Sequence, residues 1–385
     1  MLLSCLQENL SHGLNIVSHI SDKNTSLPIL NNILIKTENK NIKLISTNLE
    51  IGINCSIRGK VEEDGEITIP GRILADYISL LPNEKVDITL KNDDVQITCD
   101  TYATKIKGMP SSDFPLLPSI KKEESAFCEV AINDLKEAIG QVVFAIATNE
   151  ARPEISGIYV SAKENILTLA ATDSYRLAEK KVKILARKNV ENNINTIIPY
   201  KTLNELGRIL SAIGRDDEMS KEQETISIYL TDNQILFSCK NIELISRTID
   251  AKYPDYKQII PSEFKTTAVI DVKPLANAVK AASLFTRVGI YDISLLFDPT
   301  TNKLKISSLN NQLGENKSEI EGTIEGDHVE LILNFRYLLD GLQNIGAEKI
   351  LFKITDRVKP CVLSPLSQDG KEIEDYIYLI MPIKQ

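Results

Sequence analysis

Ile67-Thr-Ile-Pro-Gly-Arg-Ile-Leu74, Ile197-Ile-Pro-Tyr-Lys-Thr-Leu203 and Leu331-Ile-Leu-Asn-Phe-Arg-Tyr-Leu338 carry one pattern three times: a β-run that turns directly into a helix. Beyond each entry the apolar residues keep helical spacing: Leu74, Tyr77, Ile78, Leu81; then Leu203, Leu206, Leu210, Ile213; then Phe335, Leu338, Leu339, Leu342. An earlier apolar-periodic helix opens each copy, through Leu10, Leu14, Val17, Ile20, through Leu135, Ile139, Val142, Ile146, and through Leu275, Val279, Ala282. The period is roughly 125–140 residues, too long for a solenoid, so each copy reads as a small domain.

The 385 residues suit three such domains, and 43% apolar with 25% charged residues is the make-up of an ordinary globular chain. No stretch approaches the run of about eighteen apolar residues that a membrane span needs. The opening Met1-Leu-Leu-Ser-Cys-Leu is briefly apolar but has no basic segment before it and no small-residue cleavage site after it, so a first strand is expected. The six cysteines (Cys5, Cys55, Cys99, Cys128, Cys239, Cys361) lie scattered in strand patterns, never as C-x-x-C. Buried free thiols in a reducing cytoplasm are the expectation, with neither disulfides nor a metal.

A formal net charge of −9 argues on its face against a nucleic-acid partner. The distribution changes that reading. Helices placed at 8–20, 72–80, 133–146, 201–212, 273–287 and 334–345 hold the basic residues Arg72, Lys136, Lys201, Arg208, Lys273, Lys280, Arg287 and Arg336 against the acidic Glu8, Asp76, Asp134, Glu137, Glu205 and Asp340. The helical faces are thus weakly positive and the remainder strongly negative.

Between the helices run alternating β-segments. Val86, Ile88, Leu90 and Val95, Ile97, Cys99 flank Asn92-Asp-Asp94, and Ile226, Ile228, Leu230 and Ile235, Phe237, Cys239 flank Thr231-Asp-Asn-Gln234; both read as hairpins. Proline-punctuated crossings, Met109-Pro-Ser-Ser-Asp-Phe-Pro-Leu-Leu-Pro118 and Tyr253-Pro-Asp-Tyr-Lys-Gln-Ile-Ile-Pro261, close the first two copies, because proline removes a sheet donor. The domains predicted are 1–122, 126–256 and 257–385. The acidic run 215–224 reads as a solvated loop.

Enzyme signatures are missing: no G-x-x-x-x-G-K-[ST], G-x-G-x-x-G, G-x-S-x-G or H-E-x-x-H occurs. His12 and His19 are expected to share a face of the first helix without an acidic or thiol partner, which is no metal site. Thr172-Asp-Ser-Tyr-Arg176 contains a serine but no evident base, and reads as a turn at a strand edge. Paired carboxylates such as Asp93-Asp94 and Asp216-Asp217 lie in polar loops. No catalytic residue and no cofactor is expected, which points to binding or scaffolding.

Ala171-Thr-Asp-Ser-Tyr-Arg-Leu-Ala178, Tyr253-Pro-Asp-Tyr256 with Pro261, Ser26-Leu-Pro-Ile-Leu30 and the terminal Met381-Pro-Ile383 resemble the bacterial sliding clamp family, the β subunits of DNA polymerase III. The resemblance runs the length of the chain, in order, with the same threefold repeat. Departures are the 215–224 loop, Tyr175 where histidine is common, and Asn24, beside Lys23, where some members carry arginine.

The resemblance implies an α+β fold: three repeated domains of the DNA clamp fold, each with two helices on antiparallel sheets, closing into a ring as a head-to-tail homodimer. Twelve helices of about 10 Å diameter would make a circle about 38 Å across at their axes and leave about 28 Å clear. Duplex DNA, about 20 Å wide, fits loosely there and would be encircled without regard to sequence, with phosphate contacts few and salt-screened. Closure would pair edge strands of domain 1 and of domain 3 from another copy, with Leu284 and Phe285 at that junction. The implied role is to tether the DNA polymerase III catalytic subunit, the clamp loader and other clamp-binding peptides in the cytoplasm, away from any membrane, without catalysis of its own.

The implied partner groove lies between domains 2 and 3 and comprises Ile155, Thr172, Ser174, Tyr175, Arg176, Leu177, Pro254, Ile259, Val358, Pro360, Val362, Met381, Pro382 and Ile383. Aliphatic and methionine side chains there suit short peptides with leucine or phenylalanine anchors. Candidate DNA contacts are Lys23, Arg72, Arg152, Lys201 and Arg208. Two readings stand beside this one: an enzyme with an unfamiliar interdomain site using Asp173 or Arg176, and a monomeric repeat scaffold that binds proteins only.

Overall fold

A computed structural model describes residues 1–21, 27–147, 151–188, 194–213, 224–287 and 289–384. By compactness the chain divides into two units. One is Met1–Ile132 with Leu185–Asn192 and Arg208–Thr248; the other is Asn133–Ile184 with Asn193–Gly207 and Ile249–Gln385.

The threefold pattern of the sequence is the pattern of the elements. Each repeat runs strand, helix, a group of strands, a second helix, then three strands. The helices are α1 (Gln7–Val17) and α2 (Gly71–Ser79), α3 (Ile132–Val143) and α4 (Tyr200–Ile213), and α5 (Val272–Ser283) and α6 (Phe335–Asn344). Both expected hairpins form, pairing Leu90 with Val95 and Leu230 with Ile235.

In the first unit α1 packs Leu10, Leu14, Ile16 and Val17 inward while α2 contributes Leu74 and Ile78, all essentially buried. Each such side chain is worth about 1.5–3 kcal/mol relative to exposure. In the second unit α5 and α6 repeat the arrangement with Leu275, Val279, Ala282, Leu338 and Leu342, above Phe297 and Phe352, whose rings stand 5.4 Å apart. Gly341 is fixed by space: a Cβ there would come within 2.2 Å of the Tyr378 ring.

Helix ends differ from expectation. The α1 helix stops at Val17 and continues as a 3-10 turn, Ser18–Ser21, so His12 and His19 do not share an α-helical face. A 3-10 turn has about 3.0 residues per turn and rotates later side chains off the stripe. The α5 helix stops at Ser283, which leaves Arg287 outside it. Within α1–α6 the basic residues are then Arg72, Lys136, Lys201, Arg208, Lys273, Lys280 and Arg336, against the same six acidic ones, so the helical excess of positive charge is a single unit.

The fourth strand of each repeat follows one turn, built three times. Asn48 Oδ1 accepts from the main-chain N–H of Glu50 (3.0 Å) and Ile51 (2.8 Å). Asp173 Oδ1 accepts from Tyr175 (2.9 Å) and Arg176 (3.0 Å), and Asn310 Oδ1 from Gln312 (2.9 Å) and Leu313 (3.3 Å). Asn and Asp side chains favour such turns because they bond the backbone two and three residues on. Ile51, Arg176 and Leu313 are therefore the same position in three copies.

The fourth strands are Ile51–Ile57, Arg176–Lys188 and Gly314–Glu321; the last strands are Tyr102–Lys107, Ile242–Arg247 and Tyr376–Ile380. In the first unit Ile51–Ile57 pairs antiparallel with Ile242–Arg247, from Ile51↔Ser246 to Cys55↔Ile242. In the second Arg176–Lys188 pairs in the same way with Tyr376–Ile380, from Arg176↔Ile380 to Lys180↔Tyr376. Fourth strand of one repeat meets last strand of the next. Among the described residues, the remaining fourth and last strands both stand at sheet edges: Tyr102–Lys107 ends a 5-stranded sheet and Gly314–Glu321 ends a 4-stranded one.

Candidate functional site

The expected groove residues all belong to the second unit. Ile155, Leu177 and Val362 share one apolar cluster, Ile259, Pro360 and Met381 line one pocket, and Met381 is tied to the turn Thr172–Arg176. Thr172 Oγ1 donates to the Arg176 carbonyl at 2.7 Å and accepts from the Ser174 N–H at 3.1 Å. Ser174 takes a left-handed φ of 79°, as Leu49 does at the matching place with 75°. Arg152 donates to Ser174 Oγ at 2.8 Å and to Glu154 at 3.0 Å, so this arginine braces the turn from outside.

Arg176 is the turn's chemical centre. Its Nε donates to Asp173 Oδ2 at 3.0 Å and its Nη1 to Asp340 Oδ2 on α6. The guanidinium lies 4.7 Å from the Tyr337 ring centre and 5.5 Å from that of Phe144, within cation–π range. Burial works against its charge, yet Tyr378, Asp340 and Asp173 outweigh that and hold its pKa above the ordinary arginine value. Both Asp173 oxygens are engaged within the turn.

Tyr175, 61% exposed, stacks on Tyr337 with ring centres 6.3 Å apart and planes 18° off parallel. Its carbonyl accepts from the Met381 N–H at 2.8 Å, and Ile383 donates to the Ile332 carbonyl at 2.8 Å. The final strand thus ends at Ile380, and Met381–Ile383 continues beyond it as a tied-down segment with Pro382 buried.

Under the turn lies a closed apolar cluster that includes Ile155, Leu177 and Val362 together with Ala170, Ile197, Leu379, Tyr253 and Tyr256. Tyr253 stacks on Tyr159 at 5.0 Å and meets Tyr256 edge-on at 6.1 Å. The Tyr253 phenol donates to the Ala170 carbonyl, and the Tyr256 phenol donates to the buried Glu179. Burial, reinforced by Glu179, drives the Tyr256 pKa far up, so it stays a neutral donor. The Tyr253-Pro-Asp-Tyr256 motif is therefore a pair of ring anchors that hold the crossing.

Beside the cluster opens a pocket of about 430 Å³ walled by Ile259, Ile260, Pro261, Pro360 and Met381, with Lys359 and Glu263 at its polar side. Ile259 and Val358 are exposed and Pro360 is buried; Pro254 is exposed, with its carbonyl bonded by the Tyr256 N–H. The site offers an apolar recess, a stacked aromatic rim and a half-buried guanidinium, a set suited to gripping a side chain rather than to bond-making.

Tyr337, Asp340 and Phe144 join this site and escaped the sequence reading. They lie on α6 and just after α3, and nothing local to them signals Arg176. Elsewhere, Arg72 is exposed near Asp76 (3.8 Å), and Lys201 is exposed at the start of α4. Arg208 is half-buried and donates to the carbonyls of Asn15 (2.9 Å) and Ile16 (2.6 Å). Leu284, 71% exposed, caps the end of α5 beside half-buried Phe285. Lys23, Asn24 and residues 215–223 lie outside the described residues.

Family models match the chain in three blocks: DNA polymerase III beta subunit, N-terminal domain, over residues 1–118; central domain, over 129–255; and C-terminal domain, over 257–384. The chain is 30% identical to the beta sliding clamp of Staphylococcus aureus, covering 94% of this chain and 93% of that one. It is 29% identical to the beta sliding clamp of Synechococcus elongatus, over 100% and 99% respectively. Among solved structures it is similar to the DNA polymerase sliding clamp of Bacillus subtilis, with a TM-score of 0.90, 26% identity and coverage of 100% and 99%.

Proposed function

From a chain that belongs to the DNA polymerase III beta subunit family, we infer a DNA sliding clamp that tethers the replicative polymerase to its template. The three-domain clamp fold spans the chain, with domains proposed at 1–122, 126–256 and 257–385. The clamp works in the cytoplasm, where six buried, unpaired cysteines are at home. No helix of the described residues is long and apolar enough to cross a membrane.

The observation that carries the assembly is the unfinished repeat. Fourth-to-last strand pairing joins repeats one and two and repeats two and three within the chain. The remaining fourth strand, Gly314–Glu321, and the remaining last strand, Tyr102–Lys107, are both sheet edges. A second copy placed head to tail satisfies both, twice over, and a closed ring follows. Carrying the observed register across puts Leu313 of one copy opposite Ile106 of the second. Arg176 meets Tyr337 on α6, so Leu313 would meet the corresponding Ile73 on α2, and both are exposed in the single chain. Leu284 holds the place of Phe144, whose ring lies 5.4 Å from Tyr378 on the last strand of the following repeat; it would serve the same role at the closure, with Phe285 beside it.

The same reading makes the Thr172–Arg176 turn, Ile155, Leu177, Pro254, Ile259, Val358, Pro360, Val362 and Met381–Ile383 the docking groove for the polymerase catalytic subunit, the clamp loader and other proteins carrying short apolar motifs. DNA passes through the ring and touches Arg72 and Lys201 through its phosphates; Lys23 and Arg152 are further proposed contacts, although Arg152 also braces the Thr172–Arg176 turn. Arg208 first serves α1. The clamp has no active site of its own: Asp173 and Arg176, the best catalytic candidates, satisfy one another within a turn that also recurs in the other two repeats.

Loading the protein with a bacterial clamp loader onto nicked circular DNA, then cutting the circle, tests this function. A clamp stays on the circle in high salt and runs off once the DNA is linear. Equal retention on both forms, or equal loss, would contradict encirclement.

A further inference from the structure

Arg176 occupies a position that is apolar in the other two repeats, Ile51 and Leu313. An arginine 11% exposed at its side chain needs partners, and the turn alone provides one, Asp173. The second carboxylate, Asp340, comes from α6 of the next domain, one helical turn after Tyr337. Tyr337 receives the guanidinium on its face and Tyr175 on its ring. Asn344 donates to the Asp340 carbonyl at 2.8 Å, and the Tyr378 phenol donates to that of Tyr337 at 2.8 Å, so the α6 turn presenting both side chains is itself held.

We infer that Asp340 is a positioning residue of the peptide groove: it holds the Arg176 guanidinium over the Tyr337 ring and thereby fixes the Tyr175–Tyr337 rim. This rests on the groove reading above. Arg176 without Asp340 keeps one carboxylate, from its own turn, and loses its ion pair to α6. The guanidinium then leaves the Tyr337 face, and the exposed Tyr175 loses the ring against which it is stacked. Binding must then re-order two aromatic side chains that are pre-set in the native chain. Asp340 touches no peptide in this account; it acts through Arg176.

The test uses the full-length protein and a fluorescein-labelled synthetic peptide with adjacent leucine and phenylalanine anchors, followed by fluorescence anisotropy. Asp340→Asn weakens binding about tenfold, the scale of removing one charge-assisted bond. Asp340→Glu, which keeps the carboxylate, restores most of the affinity. Arg176→Gln weakens binding as well, and adding Asp340→Asn to it costs nothing further, a non-additivity that general destabilisation does not produce. Dimer mass stays that of the parent in every variant. Undiminished binding by Asp340→Asn, or full additivity of the two substitutions, overturns the inference while the groove stands. Absence of binding by the parent protein overturns the groove and the inference together.

Discussion

Met381 donates its main-chain N–H to the carbonyl of Tyr175 at 2.8 Å, which ties the end of the final strand to the turn at the rim of the proposed groove. Arg247 makes the same bond to Glu50 at 3.3 Å, so the contact is a property of the repeat. What differs is the use of the following residues. Met381 lines an open pocket, and Ile383 is bonded on to Ile332.

Deleting residues 381–385 therefore removes a wall of the pocket without touching either free sheet edge. Peptide binding is expected to vanish, at least about a hundredfold weaker on the scale of interface anchors, while the mass in solution stays that of the parent. Titration of a labelled peptide alongside light scattering reads both. Unchanged peptide affinity would defeat the groove assignment.

Leu313→Asp and Leu284→Asp place a carboxylate in the proposed closure. They are 64% and 71% exposed, respectively, in the single chain, so neither change disturbs a folded core. Burying an unpaired charge against Ile73 and Ile106 of a second copy costs several kcal/mol of association. Sedimentation at micromolar concentration should show monomers with unaltered circular dichroism; dimers of normal strength would move the closure elsewhere.

Arg72→Gln with Lys201→Gln should lower the salt sensitivity of DNA binding by about two in log–log slope, since each phosphate neutralised by the protein contributes about 0.9. Arg208→Ala is expected to act differently. It frees the carbonyls of Asn15 and Ile16 and lowers stability by about 1–3 kcal/mol, with the salt slope unaffected. Identical slopes for parent and double variant would remove Arg72 and Lys201 from the DNA path.

Alkaline stability follows from the thiols. Burial pushes Cys5, Cys55, Cys128 and Cys361 up to about 12 and Cys239 to about 11. An unfolded thiol titrates near about 8.5. The folded chain keeps protons that the unfolded chain gives up, so this stability is complete below about pH 8.5 and drains away as pH rises toward 12. Buried Tyr253 and Tyr256, also shifted upward by burial, add to the loss. Thermal midpoints should hold from about pH 7 to 8 and fall steeply beyond about pH 9, and a thiol reagent should be silent at about pH 8 until urea is added. A flat profile to about pH 11 would show that these thiols titrate alike in both states.

The repeat and the helices were legible because they are local: periodicity sets a helix wherever it stands. The Asn48, Asp173 and Asn310 turns were harder to see. They share one carbonyl or carboxylate oxygen and little else, and only the bonds reveal that Ile51, Arg176 and Leu313 correspond. Tyr337 and Asp340 were out of reach for a plainer reason. Asp340 meets Arg176 from 164 residues away in the chain, across a contact that no spacing rule encodes. Helix ends slipped by a few residues, enough to carry Arg287 off α5 and His19 off α1, because the last turn of a helix is settled by packing more than by propensity.

Small-angle X-ray scattering with light-scattering mass on the purified chain tests the ring most directly. The account predicts the mass of two chains and a pair-distance profile that requires a hollow centre wide enough for duplex DNA. A monomer at every concentration reached, or a dimer with a filled centre, would contradict it.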